Sequence, residues 1–269
     1  YKAALEASRI PVRDIYYRPR EDEHGKPYFE VPYLALETFA AELKGQDGRI
    51  IVFLGNPNNP DGTLLDKNHI RTIASMLKDA NSLLVIDESF IDFVGNDTLQ
   101  DNEYSMRSLV NEFDNIIVVH SFTKFYAVPG LRIGAAFSNP LIIEQLNSFI
   151  PTWSVNTLAQ SYTEAALNDV EYVKRTKQVL HKEQLFMHNS LDTIDGITVY
   201  PPSANFMLFH IEQEGITAES INEALKKYNM IVRNCDSYMG LNNQWVRVAI
   251  KDHDTNVKLV EKLTDILKV

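Results

Sequence analysis

A lysine, two hydroxyl residues and an arginine share the stretch His120–Pro140, HSFTKFYAVPGLRIGAAFSNP. Ser121 and Thr123 can offer hydroxyls to a phosphate, and Arg132 can grip it with a planar fork of N–H donors. Lys124 stands between them with an amine able to form an imine. Together they fit a phosphorylated carbonyl cofactor. A lysine in a Ser/Thr-rich loop is ordinarily a solvated surface residue, and S-x-T-K alone is a weak signal. Its weight comes from two other stretches. Asn56-Pro57-Asn58-Asn59-Pro60-Asp61-Gly62 follows one apolar run, and Asp87 ends another.

Three strands must position these groups. Ile50–Leu54, Leu83–Ile86 and Ile116–Val119 are short apolar runs, the last β-branched throughout, as in strands buried on both faces. Their C-terminal ends bring an asparagine, a carboxylate and a lysine to one rim, where open α/β sheets bind ligands. Between the first two, Asp66 is placed to cap a helix, Leu65 to staple against Ile70, and Ile70, Ile73, Ala74 and Leu77 to form one buried face. This alternation predicts a largely parallel α/β sheet.

Upstream, residues 1–8 read as a helix end, Val12–Tyr17 as a strand, Arg18–Pro27 as a charged loop and Tyr33–Lys44 as a helix. Downstream, strand Ile133–Phe137 precedes a helix opened by Pro140, then helices Val155–Leu167 and Val170–Ile194, with a break at Gly196. The tail alternates strand Ile197–Tyr200, strand Phe206–Ile211, helix Ala218–Tyr228, strands Met230–Arg233 and Trp245–Ile250, and helix Thr255–Leu267. Thr217 caps the first of these helices, with Ile216 placed to staple to Ile221. This tail is a compact α+β unit.

Four motifs occur in order: Asn56–Gly62, Asp87-Glu88-Ser89-Phe90, Ser121–Lys124 with Arg132 eight residues later, and Trp245-Val246-Arg247. In this the chain resembles the fold-type-I pyridoxal phosphate enzymes of aminotransferase class I/II. The segments Asp87–Phe93, Thr123–Gly134 and Pro151–Ala159 are most similar to the threonine-phosphate decarboxylase branch, a sister of histidinol-phosphate aminotransferase. The resemblance implies that residues 1–167 are the remainder of a large cofactor-binding domain and residues 168–269 a small C-terminal domain entered by a long connecting helix. It begins in mid-domain, so the expectation is that roughly the first quarter of a full enzyme is absent. The N-terminal arm, a glycine-bearing phosphate loop and the aromatic cover of the cofactor ring would belong there.

By the same resemblance Lys124 carries the pyridoxal 5′-phosphate and moves the proton at the substrate's α-carbon, its amine kept partly neutral by Arg132 and partial burial. Asp87 keeps the ring nitrogen protonated, so that the ring acts as an electron sink. Asn59 hydrogen-bonds the ring oxygen, and Ser121, Thr123 and Arg132 form half of the phosphate cup. Phe90 stands where transaminases commonly have a tyrosine, which agrees with the decarboxylase branch; core packing is its alternative role. Arg247 holds the substrate carboxylate, Arg233 is a second anion contact suited to a phosphate, and Asn205 and Tyr126 are weaker candidates for the substrate pocket. The activity implied is decarboxylation of O-phospho-L-threonine to 1-amino-2-propanol phosphate for cobalamin assembly. The alternatives are an aminotransferase of the histidinol-phosphate type using glutamate and 2-oxoglutarate, or a degenerate or truncated module without cofactor. A small phosphorylated amino-acid substrate and a homodimer are implied as partners.

The bounds agree. A net charge of −10 argues against nucleic acid or an anionic membrane as partner, and leaves any anionic substrate to local arginines. One cysteine, Cys235, excludes a disulfide within the chain and fits a reducing, cytoplasmic setting. The seven histidines have no metal-ligand spacing, so no metal is expected.

Overall fold

The computed structural model describes residues 1–43, 49–95 and 103–268. Two four-stranded sheets carry the fold. The first uses β3 (Ile51–Gly55), β4 (Leu83–Asp87), β5 (Ile116–Ser121) and β6 (Gly134–Ser138) in that order. The first three are parallel and β6 runs antiparallel to β5. Helix α3 (Lys67–Asp79) crosses from β3 to β4 and buries Ile70, Ile73, Ala74 and Leu77, the four positions that its spacing selects. They meet Leu84, Ile86, Ile116 and Val118 of the sheet in one core. Each such fully buried aliphatic side chain contributes about 1.5–3 kcal/mol. Asp66 caps the helix, its carboxylate accepting from the Asn68 and His69 amides.

The chain before β3 departs from expectation. Helix α1 (Lys2–Ala7) is present, but Val12–Tyr17 has no strand partner among the described residues. The hairpin lies in the charged stretch instead, with β1 (Arg18–Glu21) paired to β2 (Pro27–Glu30). Asp22 makes the turn: its Oδ1 accepts from the His24 and Lys26 amides at 2.8 and 2.9 Å, and Gly25 takes φ +75°. Helix α2 (Tyr33–Leu43) follows, Lys44 lying outside the described residues.

Helices α4 (Pro140–Phe149), α5 (Thr157–Asn168) and α6 (Val170–Leu191) lead to the second sheet. There β7 (Ile197–Val199), β8 (Phe206–Ile211), β10 (Trp245–Ala249) and β9 (Arg233–Asn234) pair antiparallel in that order. Helices α7 (Ala218–Lys226) and α8 (His253–Leu267) cover it, α7 opening on a capping box between Thr217 and Ser220. The core of this sheet also takes in Phe93, Phe125 and Tyr126 from the first half of the chain. That shared packing brings the rim of the first sheet against the second.

Candidate active site

The parallel register puts Gly55 beside Asp87, and the Asn56 amide donates to the Asp87 carbonyl at 2.9 Å. Beyond it the asparagine loop is tied by its own side chains. Asn56 is fully buried and exchanges two hydrogen bonds with the Leu65 backbone, at 2.8 and 3.2 Å. Asp61 accepts from the Thr63 amide at 2.7 Å and from Asn58 Nδ2, while burial pushes its carboxyl up. Ser203 reaches across to the Gly62 carbonyl. Asn56 and Asn58 thus serve the turn, and Asn59 looks outward. Its Oδ1 accepts from Tyr238 Oη at 3.2 Å and from Arg247 Nη1.

Asp87 Oδ1 is held by the Ser89 amide at 2.8 Å, which leaves Oδ2 for another donor. The Tyr1 hydroxyl supplies one, its ring stacked on Phe53 at 4.8 Å and 20°. Burial, and then Asp87 itself, push the Tyr1 phenol up. Asp87 Oδ2 thus accepts from a donor carried on an aromatic ring, and Tyr1 occupies it here.

Ser121 ends β5, two residues beyond the expected end at Val119, and its Oγ lies 2.7 Å from Thr123 Oγ1. Arg132 is not joined to either hydroxyl among the described residues. It takes a left-handed conformation at φ 53° and its Nη1 donates to the Pro129 carbonyl at 2.8 Å. Lys124 is exposed, where partial burial was expected. Its Nζ lies 5.3 Å from the centre of the Phe90 ring. Phe90 also packs against the core beside Phe206, edge-on at 5.1 Å, the packing role given above as its alternative.

Arg247, half-buried on β10, lies with Cζ 5.1 Å from the centre of the Phe206 ring. Cross-strand register sets it directly opposite Arg233 on β9. Arg233 is exposed, donates to Ser237 Oγ at 3.1 Å and lies 5.8 Å from the centre of the Tyr238 ring. Asn205 precedes Phe206; its carbonyl accepts from the Ile250 amide, while its buried Oδ1 has no partner among the described residues. Tyr126 is buried, its hydroxyl likewise without a partner among the described residues, and stacks on Tyr172 at 5.9 Å. Cys235 is fully buried in a small aromatic cluster, and burial pushes its thiol up to about 11, as befits a packing residue.

Two side chains of this site, Tyr238 and Phe206, escaped sequence reasoning. Neither stands in a motif, and only the fold brings Tyr238 to Asn59 and Phe206 to Phe90 and Arg247. The donor set fits a phosphorylated pyridine aldehyde: a carboxylate oxygen that accepts from a ring-borne donor, two hydroxyls near one another and an exposed amine. No group of three potential metal ligands occurs among the described residues, and none of the described helices is long and apolar enough to cross a membrane.

The sequence model of the family "Aminotransferase class I and II" matches residues 1–263. The adenosylcobalamin biosynthesis bifunctional protein CobDQ of Leptospira interrogans is 35% identical over 269 residues, which cover 99% of this chain and 29% of that protein. The threonine-phosphate decarboxylase of Salmonella typhimurium is 34% identical over 222 residues, 80% of this chain and 57% of that one. The crystal structure of histidinol-phosphate aminotransferase from Clostridium acetobutylicum superposes with a TM-score of 0.83 at 25% identity, covering 100% of this chain and 75% of that one. The chain spans less than two thirds of the length of these two curated relatives.

Proposed function

The chain belongs to the aminotransferase class I and II family, and from that premise we propose that it forms the greater part of an enzyme that decarboxylates O-phospho-L-threonine to 1-amino-2-propanol phosphate. The cofactor of this family is pyridoxal 5′-phosphate. When bound, it supplies an electrophilic carbonyl and a protonated ring that draws electron density from the substrate's α-carbon. The observation that carries the reading is the cross-strand pair Arg233 and Arg247, beside the loop of Asn59 and the ring beneath Lys124. Two guanidiniums side by side suit a substrate with two anionic groups, a carboxylate and a phosphate.

On this reading each residue would have one role. Lys124 would supply the amine that holds the cofactor and would carry the proton at the substrate's α-carbon. Asp87 Oδ2 would hold the proton of the ring nitrogen in place of its contact with Tyr1. Asn59 Nδ2 would donate to the ring oxygen, the side that Phe90 leaves without a donor. Ser121 and Thr123 would hold the phosphate, with Arg132 exchanging its Pro129 contact for it. Arg247 and Arg233 would orient the substrate's carboxylate and phosphate, and that orientation would select decarboxylation over loss of the α-hydrogen. Asn205 lines the same pocket. Residues 1–167 would form the cofactor-binding unit, residues 168–269 the substrate-closing one, and a second copy the dimer that family members use.

The second reading, amino transfer of the histidinol-phosphate type, draws on the full-length superposition with the Clostridium enzyme. Product analysis separates the two. With pyridoxal phosphate and O-phospho-L-threonine alone, the first reading expects carbon dioxide and aminopropanol phosphate. Glutamate formed only from histidinol phosphate with 2-oxoglutarate overturns it in favour of the second.

A further inference from the structure

Asn59 is gripped from the other half of the chain. Its Oδ1 accepts from Tyr238 Oη at 3.2 Å and from Arg247 Nη1, residues 179 and 188 positions away. An amide oxygen has two lone pairs, and these donors use both. The orientation of the amide is thereby set, because turning it over would face Nδ2 against a hydroxyl donor and a guanidinium. Nδ2 has no partner among the described residues.

Tyr238 is suited to hold this geometry. Its ring packs against the cluster of Phe29, Tyr200, Leu208, Cys235 and Trp245. Backbone bonds close its loop on both sides, from the Tyr238 amide to the Cys235 carbonyl at 3.0 Å and from the Leu241 amide to the Tyr238 carbonyl at 3.1 Å. Arg233 lies over the same ring. The hydroxyl is thus delivered by a rigid turn, whereas the arginine is a long side chain whose other donors are engaged when substrate binds.

We propose that Tyr238 is a positioning residue: its hydroxyl latches the loop of Asn59 to the C-terminal sheet and aims Nδ2 of Asn59 at the cofactor's ring oxygen. The latch stands on this chain's own contacts, and the second half of the statement rests on the cofactor reading given above. Arg247 alone would leave one lone pair of Oδ1 unfilled and the amide less firmly set.

Two measurements on the 269-residue chain test it. The first is thermal unfolding without cofactor of the wild type, Tyr238→Phe, Asn59→Ala and the double variant. Phenylalanine keeps the ring, its packing and the arginine above it, and deletes only the hydroxyl. We expect each single change to lower the midpoint by about 2–4 °C, the scale of one hydrogen bond in a chain of this size. The double variant should fall no further than the Asn59→Ala single. Additive losses overturn the latch.

The second is titration with pyridoxal phosphate, followed by visible absorption. Tyr238→Phe should weaken binding about two- to tenfold. It should also move the pH midpoint of the visible band upward, because a ring oxygen that loses a well-aimed donor becomes more basic. In the Asn59→Ala background the same change should do neither. Unaltered affinity and midpoint in Tyr238→Phe overturn the positioning role even where the melting data couple. A wild-type chain with no visible band overturns the cofactor reading and with it the aim of Nδ2, and the latch then stands or falls on the melting cycle.

Discussion

Nζ of Lys124 lies 5.3 Å from the centre of the Phe90 ring, and Phe90 meets Phe206 edge-on at 5.1 Å. Arg247 lies over that second ring with Cζ 5.1 Å from its centre. Two basic side chains from opposite halves of the chain are therefore carried on one aromatic pair. The π faces favour both placements, and the pair ties the loop after β5 to strand β10.

Replacing Arg247 with lysine keeps a positive charge and removes the planar fork. On the proposed function this loses a hydrogen bond to a charged group, worth about 1.5–3 kcal/mol, or roughly a ten- to hundredfold fall in kcat/KM for O-phospho-L-threonine. Steady-state kinetics on Arg247→Lys should show it chiefly in KM. An unchanged kcat/KM would remove Arg247 from the substrate site.

Gly134 pairs with Ser121, and a Cβ added there would lie 2.5 Å from the His120 carbonyl oxygen. Backbone cannot move aside as a flexible side chain can. Gly134→Ala should push β6 from β5 at Ser121, where β5 ends, costing about 1–3 kcal/mol or more. Denaturant midpoints report the loss; a variant as stable as wild type would mean that the strands separate there without strain.

Beneath that loop His120 and Asp92 form a buried pair, Nε2 to Oδ2 at 2.8 Å, and His120 Nδ1 has no partner among the described residues. Asp92→Ala would leave the ring with neither nitrogen paired. The expected cost is about 1–3 kcal/mol, seen as a fall in melting temperature. If the midpoint holds, the imidazole has found another partner and the pair contributes little.

Glu88 is fully buried, and burial pushes its carboxyl up, although the Met106 amide and the Ser105 hydroxyl (2.7 Å) both donate to it. A carboxyl with a raised folded pKa binds more protons folded than unfolded. Its contribution is fully present below the ordinary carboxyl range and is lost as pH rises through the folded value. Glu88→Gln removes that dependence. The stability of wild type relative to this variant should thus improve as pH falls from 8 toward about 4.5, the ordinary range of a glutamate. Unfolding at several pH values checks the sign, and a parallel pair of curves would contradict it.

Much of this architecture is written locally. The cap at Asp66 and the four buried positions of α3 follow from spacing alone, and Asp87 ends its strand where the apolar run ends. Val12–Tyr17 misled because its β-branched and aromatic residues indicate an extended chain but not a partner. Val12, Ile15 and Tyr17 line a cavity of about 660 Å³ against β3 without joining its ladder. The hairpin at Arg18–Glu30 was hidden by charge: β1 is exposed throughout, β2 buries only Phe29, and the turn depends on one aspartate oxygen taking two amides.

The site was legible through motifs and obscure wherever it depends on distance in sequence. Asn59, Asp87, Lys124 and Arg247 each stand in a recognisable pattern. The folding back of Arg132 on Pro129 is a local contact three residues back that no motif marks, whereas the exposure of Lys124 and the contact of Tyr238 with Asn59 are products of tertiary packing. No window of the chain that holds one partner holds the other.

The most direct test of the account is whether Lys124 takes the cofactor. The chain is incubated with pyridoxal phosphate, reduced with borohydride, digested and weighed by mass spectrometry. The account predicts one added cofactor mass on the peptide containing Lys124, lost in Lys124→Ala. Labelling spread over surface lysines, or labelling undiminished in Lys124→Ala, would contradict it.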